Sequence, residues 1–146
     1  MSKYANGYYQ LLSPEKYVGK GTPKYRSSWE HSVMRMCDNN PAIVKWASES
    51  IHINYRNPFT NKNTIYVPDF FVLYQDANNK QHAELWEIKP TKETTLEAAG
   101  NSKRAQAAAI LNMAKWQAAQ AYCKANGLFF RIITEQDLFH QGKSGR

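Results

Sequence analysis

A chain of 146 residues, 42% of them hydrophobic, falls in the size range of one ordinary domain and can bury a real core. Its formal net charge of +7 and isoelectric point near 9.4 favour a polyanionic partner, nucleic acid before membrane. No window approaches the ~20 apolar residues of a membrane span, and the N-terminus lacks the apolar run of a secretory signal. Two distant cysteines, Cys37 and Cys123, sit outside any CxxC or Cys/His cluster, so neither a zinc site nor a disulfide framework is indicated and reduced cytosol is the expected setting.

Residues 1–25 carry Tyr4, Tyr8, Tyr9, Tyr17 and Tyr25 among lysines, glycines and prolines without a lasting period. They read as an irregular arm whose tyrosines pack on the domain. The sharper alternative is a strap in which Lys3, Lys16, Lys20 and Lys24 face phosphates while rings stack on bases.

Residues 26–37 have the pattern of a short helix that ends before Asp38-Asn-Asn-Pro41. Ser27 and Glu30 are spaced as a capping box, in which the glutamate reaches back to the cap amide. Glu30 also falls on the stripe of Val33, Met34 and Cys37, where a carboxylate is costly unless paired or metal-bound. Cap and site both remain open for it. Residues 41–50 read as a helical turn or short helix carrying Val44 and Trp46, with Glu49 solvated or capping. Residues 51–55 alternate and make the first clear strand, leaving His52 exposed on the face opposite the isoleucines.

Residues 65–74 and 82–89 are rich in β-branched, aromatic and apolar side chains, and residues 76–80 between them have turn chemistry, which makes a hairpin. Side chains alternate along a strand, so Glu87 and Lys89 share one face with Cα atoms roughly 7 Å apart. Pro68 cannot donate to a ladder and marks an edge, bend or bulge at Asp69. If the register sets Asp69 beside Glu87, two carboxylates converge next to a lysine and form an oxygen-ligand site for a divalent ion.

Residues 91–102 read as a polar loop leading away from this site. Residues 103–126 form the longest helical pattern, with a packing stripe of Leu111, Ala114, Ala118, Ala121 and Tyr122 and a stop at Gly127. Lys103, Arg104 and Lys115 can reach a phosphate backbone from this helix, although a solvated face explains them equally well. The apolar strand at 128–134 follows a helix and is expected to join the hairpin's sheet in parallel. A last helical turn at 134–139 leads to a polar tail. Three segments result: a basic, tyrosine-rich arm (1–25), a domain (26–139) and a flexible tail (140–146).

Pro68-Asp69 followed by Glu87-Ile88-Lys89 resembles the PD-(D/E)XK signature of metal-dependent nucleases, and the order helix, three strands, helix, strand matches that core. The resemblance implies an α/β, restriction-endonuclease-like fold with a mixed central sheet flanked by helices. Tyr25-Arg-Ser-Ser-Trp-Glu30, Trp46-Ala-Ser-Glu49, Tyr66-Val-Pro-Asp-Phe70 and Trp86-Glu-Ile-Lys-Pro90 further resemble the head-completion nucleases of tailed phages over about residues 17–134. The transposon-end nuclease TnsA shares the core but usually belongs to a larger protein.

The resemblance implies a small endonuclease acting on double-stranded DNA in the filled phage head before tail joining. Its setting would be the virion and host cytoplasm, its partners portal, head or tail-joining proteins, with no membrane involved and no oligomeric state implied. Carried over by residue, Asp69, Glu87 and the Ile88 carbonyl hold Mg²⁺, with Mn²⁺ as a substitute. Lys89 orients and helps deprotonate the attacking water, and Glu30 completes the site through water or a second ion. The product would carry a 5′ phosphate and a 3′ hydroxyl. Lys20, Lys24, Arg26, Lys103, Arg104 and Lys115 are the candidate DNA contacts. The rival readings are a DNA-binding head component that keeps the fold without cutting, and a binding module in which Glu87 and Lys89 are only a surface pair.

Overall fold

A computed structural model of the chain describes residues 6–137. Lys3 and Tyr4 of the arm, the end of the last helical turn (Leu138, Phe139) and the tail from residue 140 lie outside the described residues. In chain order the elements are β1 (Gly7–Tyr8), a 3-10 turn (Pro14–Lys16), β2 (Lys24–Tyr25), α1 (Ser28–Asn39), β3 (Ile43–Ser48), β4 (Ile53–Arg56), β5 (Asn63–Tyr66), β6 (Phe70–Gln75) and β7 (Gln81–Ile88). A second 3-10 turn (Thr91–Glu93), α2 (Leu96–Ala99), α3 (Lys103–Ala125) and β8 (Phe129–Ile133) follow.

The central sheet has the order β3-β6-β7-β8, antiparallel from β3 to β7 and parallel between β7 and β8, with α3 as the crossover. This is the mixed sheet flanked by helices that the sequence implied. One face packs Trp46, Phe70, Val72, Trp86 and Ile133 against Val33, Met34 and Cys37 of α1. The other packs Leu85 and Phe130 against Trp116, Ala119 and Cys123 of α3. Burying each large side chain of these two cores contributes about 1.5–3 kcal/mol before ordering costs. Glu84 ties three strands together from within: its carboxylate accepts from Arg131 Nε (2.9 Å), Trp86 Nε1 (2.7 Å) and Tyr74 Oη (2.9 Å).

Several sequence expectations are corrected. Residues 43–48 form a strand at the sheet edge instead of a helix. The register shifts between Ile43 and Lys45, and this bulge breaks the alternation by which a strand is recognised. The run 65–74 is two strands in two sheets, because the buried Pro68, without an N–H, ends the pairing of β5 with β4 before β6 begins its pairing with β7. The strand near 51–55 therefore belongs to a separate two-stranded ribbon. Residues 91–102 carry two short helices held on α3, with Asn112 Nδ2 donating to the Glu93 carbonyl (3.2 Å) and Gln106 Nε2 to that of Gly100 (2.6 Å). On α3 the buried face is Ala105, Ala109, Asn112, Trp116, Ala119 and Cys123, while Ala121 is exposed. Alanines on every side of this helix leave the pattern nearly flat, and Trp116 sets which face turns inward.

The arm is fastened to the core rather than merely laid over it. Buried Asp38, in the last turn of α1, accepts from Tyr9 Oη (2.8 Å) and from the backbone N–H groups of Leu12 (2.8 Å) and Ser13 (2.9 Å). Tyr17 packs edge-on against Trp46 with ring centroids 4.7 Å apart. Among the described residues, no helix is long and apolar enough to cross a membrane.

Candidate active site

The site grows from the ends of β6 and β7. Phe70 faces Trp86 and Phe71 faces Leu85 in the ladder, so one step further the register sets Asp69 opposite Glu87. Asp69 lies just before the strand: its Oδ2 accepts from the Ile88 N–H (2.7 Å), and its carbonyl accepts from the Glu49 N–H (3.0 Å). The side chain thus closes a bond that regular pairing would have given to backbone. Glu87 is 5% exposed. Its Oε1 accepts from Tyr66 Oη at 2.7 Å, and its Oε2 lies 3.8 Å from Lys89 Nζ.

Burial, then the charge of Glu87, pushes Asp69 well above the usual carboxylate range. Burial also raises Glu87, against the opposing pull of the Tyr66 hydroxyl, Lys89 and Lys115. Tyr66 is itself pushed far up, by burial and by the carboxylate beside it, so it stays a donor. Asp69 Oδ2 and Glu87 Oε1 are thus each held by a protein donor.

Three further charged groups approach from other elements. Glu30 stands in the first turn of α1, where the Ser27 hydroxyl accepts from its N–H (3.1 Å) and its own Oε1 accepts from the Arg26 N–H (3.0 Å). The bond reaches one residue further back than the expected cap amide. Burial and then the charge of Glu49 raise its pKa, and its field in turn is felt at Asp69. The capping bonds and an electrostatic influence on Asp69 therefore belong to one residue. Glu49, at the end of β3 with φ +50°, is exposed and ion-paired with Arg26. From α3, Lys115 reaches between two rings, with Nζ 5.7 Å from the Tyr66 centroid and 6.0 Å from that of Tyr55. Burial and Lys89 depress its pKa, while Glu87 and Asp69 hold it up.

The geometry thus brings Asp69, Glu87, Ile88 and Lys89 together, while Glu30 acts on Asp69 and Lys115 on Glu87 through their charge. Lys20, Lys24, Lys103 and Arg104 are exposed elsewhere on the surface, Lys24 with its Nζ 5.9 Å over the Tyr8 ring. His52 is exposed, as expected. Sequence reasoning missed Tyr66 as the partner of Glu87 and the Arg26–Glu49 pair. Tyr66 carried one signal, its place three residues before Asp69 in the Tyr-Val-Pro-Asp run; nothing local marked the ion pair.

A family model described as TnsA-like endonuclease N terminal matches residues 40–135, which spans β3 to β8 and holds Asp69, Glu87 and Lys89. The chain belongs to this family. As a TnsA-like endonuclease it also has a relative in the "Head completion nuclease" of Enterobacteria phage T4, 33% identical over 138 residues, or 86% of this chain and 89% of that protein. Glu30 and Arg26 precede the family-matched segment, so the TnsA-like match covers the hairpin acids but not the α1 carboxylate.

Proposed function

We propose that the protein is a Mg²⁺-dependent endodeoxyribonuclease that hydrolyses phosphodiester bonds in double-stranded DNA and acts in phage head completion after genome packaging. The observation that carries this reading is the pairing of Asp69 with Glu87 at the mouth of one hairpin, with the Lys89 ammonium 3.8 Å from Glu87, in a chain of an endonuclease family. The setting rests on the T4 relative, and the net charge of +7 supports a DNA substrate.

The donor set suits Mg²⁺. Two neighbouring carboxylates, both with raised proton affinity, would be relieved by a shared cation, which Asp69, Glu87 and the Ile88 carbonyl would hold. Among the described residues no three acidic, histidine or cysteine side chains come together as a ligand cluster, so water fills the remaining positions. Mg²⁺ keeps several waters and asks for only one or two carboxylates, and Mn²⁺ accepts the same oxygen donors. The bound ion would acidify a water and clamp a phosphoryl oxygen.

The chain's own residues supply the rest. Lys89, held near Glu87, orients the attacking water and stabilises the negative charge that develops on it. Tyr66 fixes the rotamer of Glu87 through its hydroxyl. Glu30, with Oε1 on the Arg26 amide, keeps Oε2 for a water of the metal shell. Lys115 offers a second cation to the non-bridging oxygens of the phosphate. Phage head and tail-joining proteins are the partners this role would require, and the virion its place of action.

The test is relaxation of supercoiled plasmid with Mg²⁺ or EDTA by the parent protein and by Asp69→Ala and Glu87→Ala. Relaxation by the parent in Mg²⁺ alone, lost in both variants, is the expected result. Cleavage that survives EDTA or either substitution removes the metal assignment. A parent protein that binds duplex DNA without cutting it would favour the non-cutting head component.

A further inference from the structure

The β4–β5 ribbon is left without a task by the site described above. Its strands pair only with each other, in the register Ile53 with Tyr66, Asn54 with Ile65, Tyr55 with Thr64 and Arg56 with Asn63. The inward face, Ile53, Tyr55 and Tyr66, is buried on Trp116 of α3. The outward face and the tip are open, and they include two large apolar side chains that are exposed among the described residues, Phe59 at 58% and Ile65 at 55%.

Charge says what covers them. From Ser50 to Pro68 the sequence holds no Asp or Glu, while His52, Arg56 and Lys62 all fall in this stretch and all are exposed. The tip is braced: Asn57 Oδ1 accepts from the N–H groups of Phe59 (2.8 Å) and Thr60 (3.2 Å), and Arg56 Nε donates to Asn61 Oδ1 (2.7 Å). A two-stranded ribbon is also a shape that the roughly 12 Å major groove of a duplex admits.

Position ties the ribbon to the chemistry. Tyr66, its last residue, is the side chain that bonds Glu87, and Asp69 follows three residues on. The ladder runs three steps from Tyr66 to Asn63, about 10 Å at ~3.3 Å per residue, and the turn closed by Asn57 and Lys62 that carries Phe59 lies beyond it. Along a duplex that distance is about three base pairs at ~3.4 Å each.

We propose that the β4–β5 ribbon is a duplex-binding wing, with Arg56 and Lys62 on phosphates and Phe59 against the sugar and base edges, at least about three base pairs from the scissile phosphate. This rests on the reading of the protein as a double-stranded DNA nuclease. It assigns substrate contacts to residues that neither the motif nor the basic arm includes.

The experiment measures binding of a fluorescent 25-base-pair duplex in EDTA across a salt series, for the parent, Lys62→Gln, Arg56→Gln/Lys62→Gln and Phe59→Ala. Hydroxyl-radical footprints are taken alongside. Each lost phosphate contact should reduce the steepness of log K against log salt by about 0.9, so the double variant should lose about 1.8. Phe59→Ala should weaken binding several-fold at unchanged slope, and the footprint should shorten at one end. Lys62→Gln leaves the Arg56–Asn61 bond intact and reads out one contact even if the double variant misfolds. Unchanged slope, affinity and footprint in Lys62→Gln and Phe59→Ala would overturn the wing. So would a concentration-dependent dimer that Phe59→Ala abolishes while DNA binding stays as in the parent. Plasmid cleavage by the parent in Mg²⁺ is scored separately: its absence counts against the nuclease reading, while the binding arms still decide the wing.

Discussion

Asp69→Asn is expected to stabilise the metal-free protein at neutral pH while making it indifferent to Mg²⁺. In the parent, half-buried Asp69 and buried Glu87 stand opposite each other, and both have raised proton affinity. Two unit charges at ~5 Å with an effective dielectric near 20 repel by about 3 kcal/mol. Asparagine keeps an oxygen for the Ile88 N–H, so the substitution exchanges a charge-assisted bond for a neutral one at a cost of about 1 kcal/mol. The net gain is about 2 kcal/mol, or roughly 4–8 °C in Tm for a domain near this size.

The sign with pH follows from the same groups. A carboxyl whose folded pKa is raised binds more protons folded than unfolded, so its contribution to stability falls as pH rises from the usual carboxylate range through the raised value. The advantage of Asp69→Asn in EDTA should therefore shrink between pH 7.5 and pH 5. Scanning calorimetry at both pH values, with EDTA or Mg²⁺, checks this. Mg²⁺ at a hundred times Kd should stabilise the parent by about 2.7 kcal/mol and the variant by far less. A well-folded Asp69→Asn protein that melts below the parent in EDTA at pH 7.5 would refute the idea of a strained carboxylate pair.

Glu30→Gln should melt within a degree or two of the parent, because glutamine can still accept from the Arg26 amide, yet lose most plasmid cleavage at any Mg²⁺ concentration; near-parental cleavage would return Glu30 to a capping role alone. Glu30→Ala should in addition lose ~0.5–2 kcal/mol by urea titration, as other broken caps do. Tyr66→Phe removes the hydroxyl that holds Glu87 and should shift the acidic limb of the cleavage-rate profile to higher pH, since that bond keeps the Glu87 pKa down; an unmoved limb would mean that Glu87 ionisation does not govern the rate. Arg131→Leu strands the buried Glu84 carboxylate and should cost about 2–4 kcal/mol, below the full cost of a broken buried pair because the Arg131 side chain is half exposed; a loss under 1 kcal/mol by urea titration would show that Tyr74 and Trp86 satisfy Glu84 by themselves.

What could be read from the sequence was local. Pro68-Asp69 and Glu87-Ile88-Lys89 each fall within a few residues, the turn at 76–80 fixes the hairpin between them, and a helix followed by an apolar strand constrains β8 to run parallel. The edge strand β3 escaped because its bulge scrambles the period of two. The division of 65–74 between two sheets escaped because pairing partners are not written into either strand. The site's further members come from elsewhere in the chain: Glu49 from the end of β3, Lys115 from α3 and Tyr66 from the ribbon, each brought in by packing between elements distant in sequence. Glu30 stood between two readings because the spacing that makes a cap also turns a carboxylate inward; the structure shows the capping bonds, and cleavage by Glu30→Gln decides the other reading.

The clamp on Asp38 has a consequence for how far this protein can be taken apart. The family match covers residues 40–135, yet the helix carrying Glu30 lies upstream of it and is pinned at its far end by Tyr9, Leu12 and Ser13. A graft of that segment alone would carry the hairpin acids and leave the remaining carboxylate behind. A chain beginning at residue 26 would keep Glu30 but strip three donors from a buried carboxylate, freeing the helix to shift or roll on the sheet. Residues 9–13 are thus, in mechanical terms, the anchor of the helix that carries Glu30.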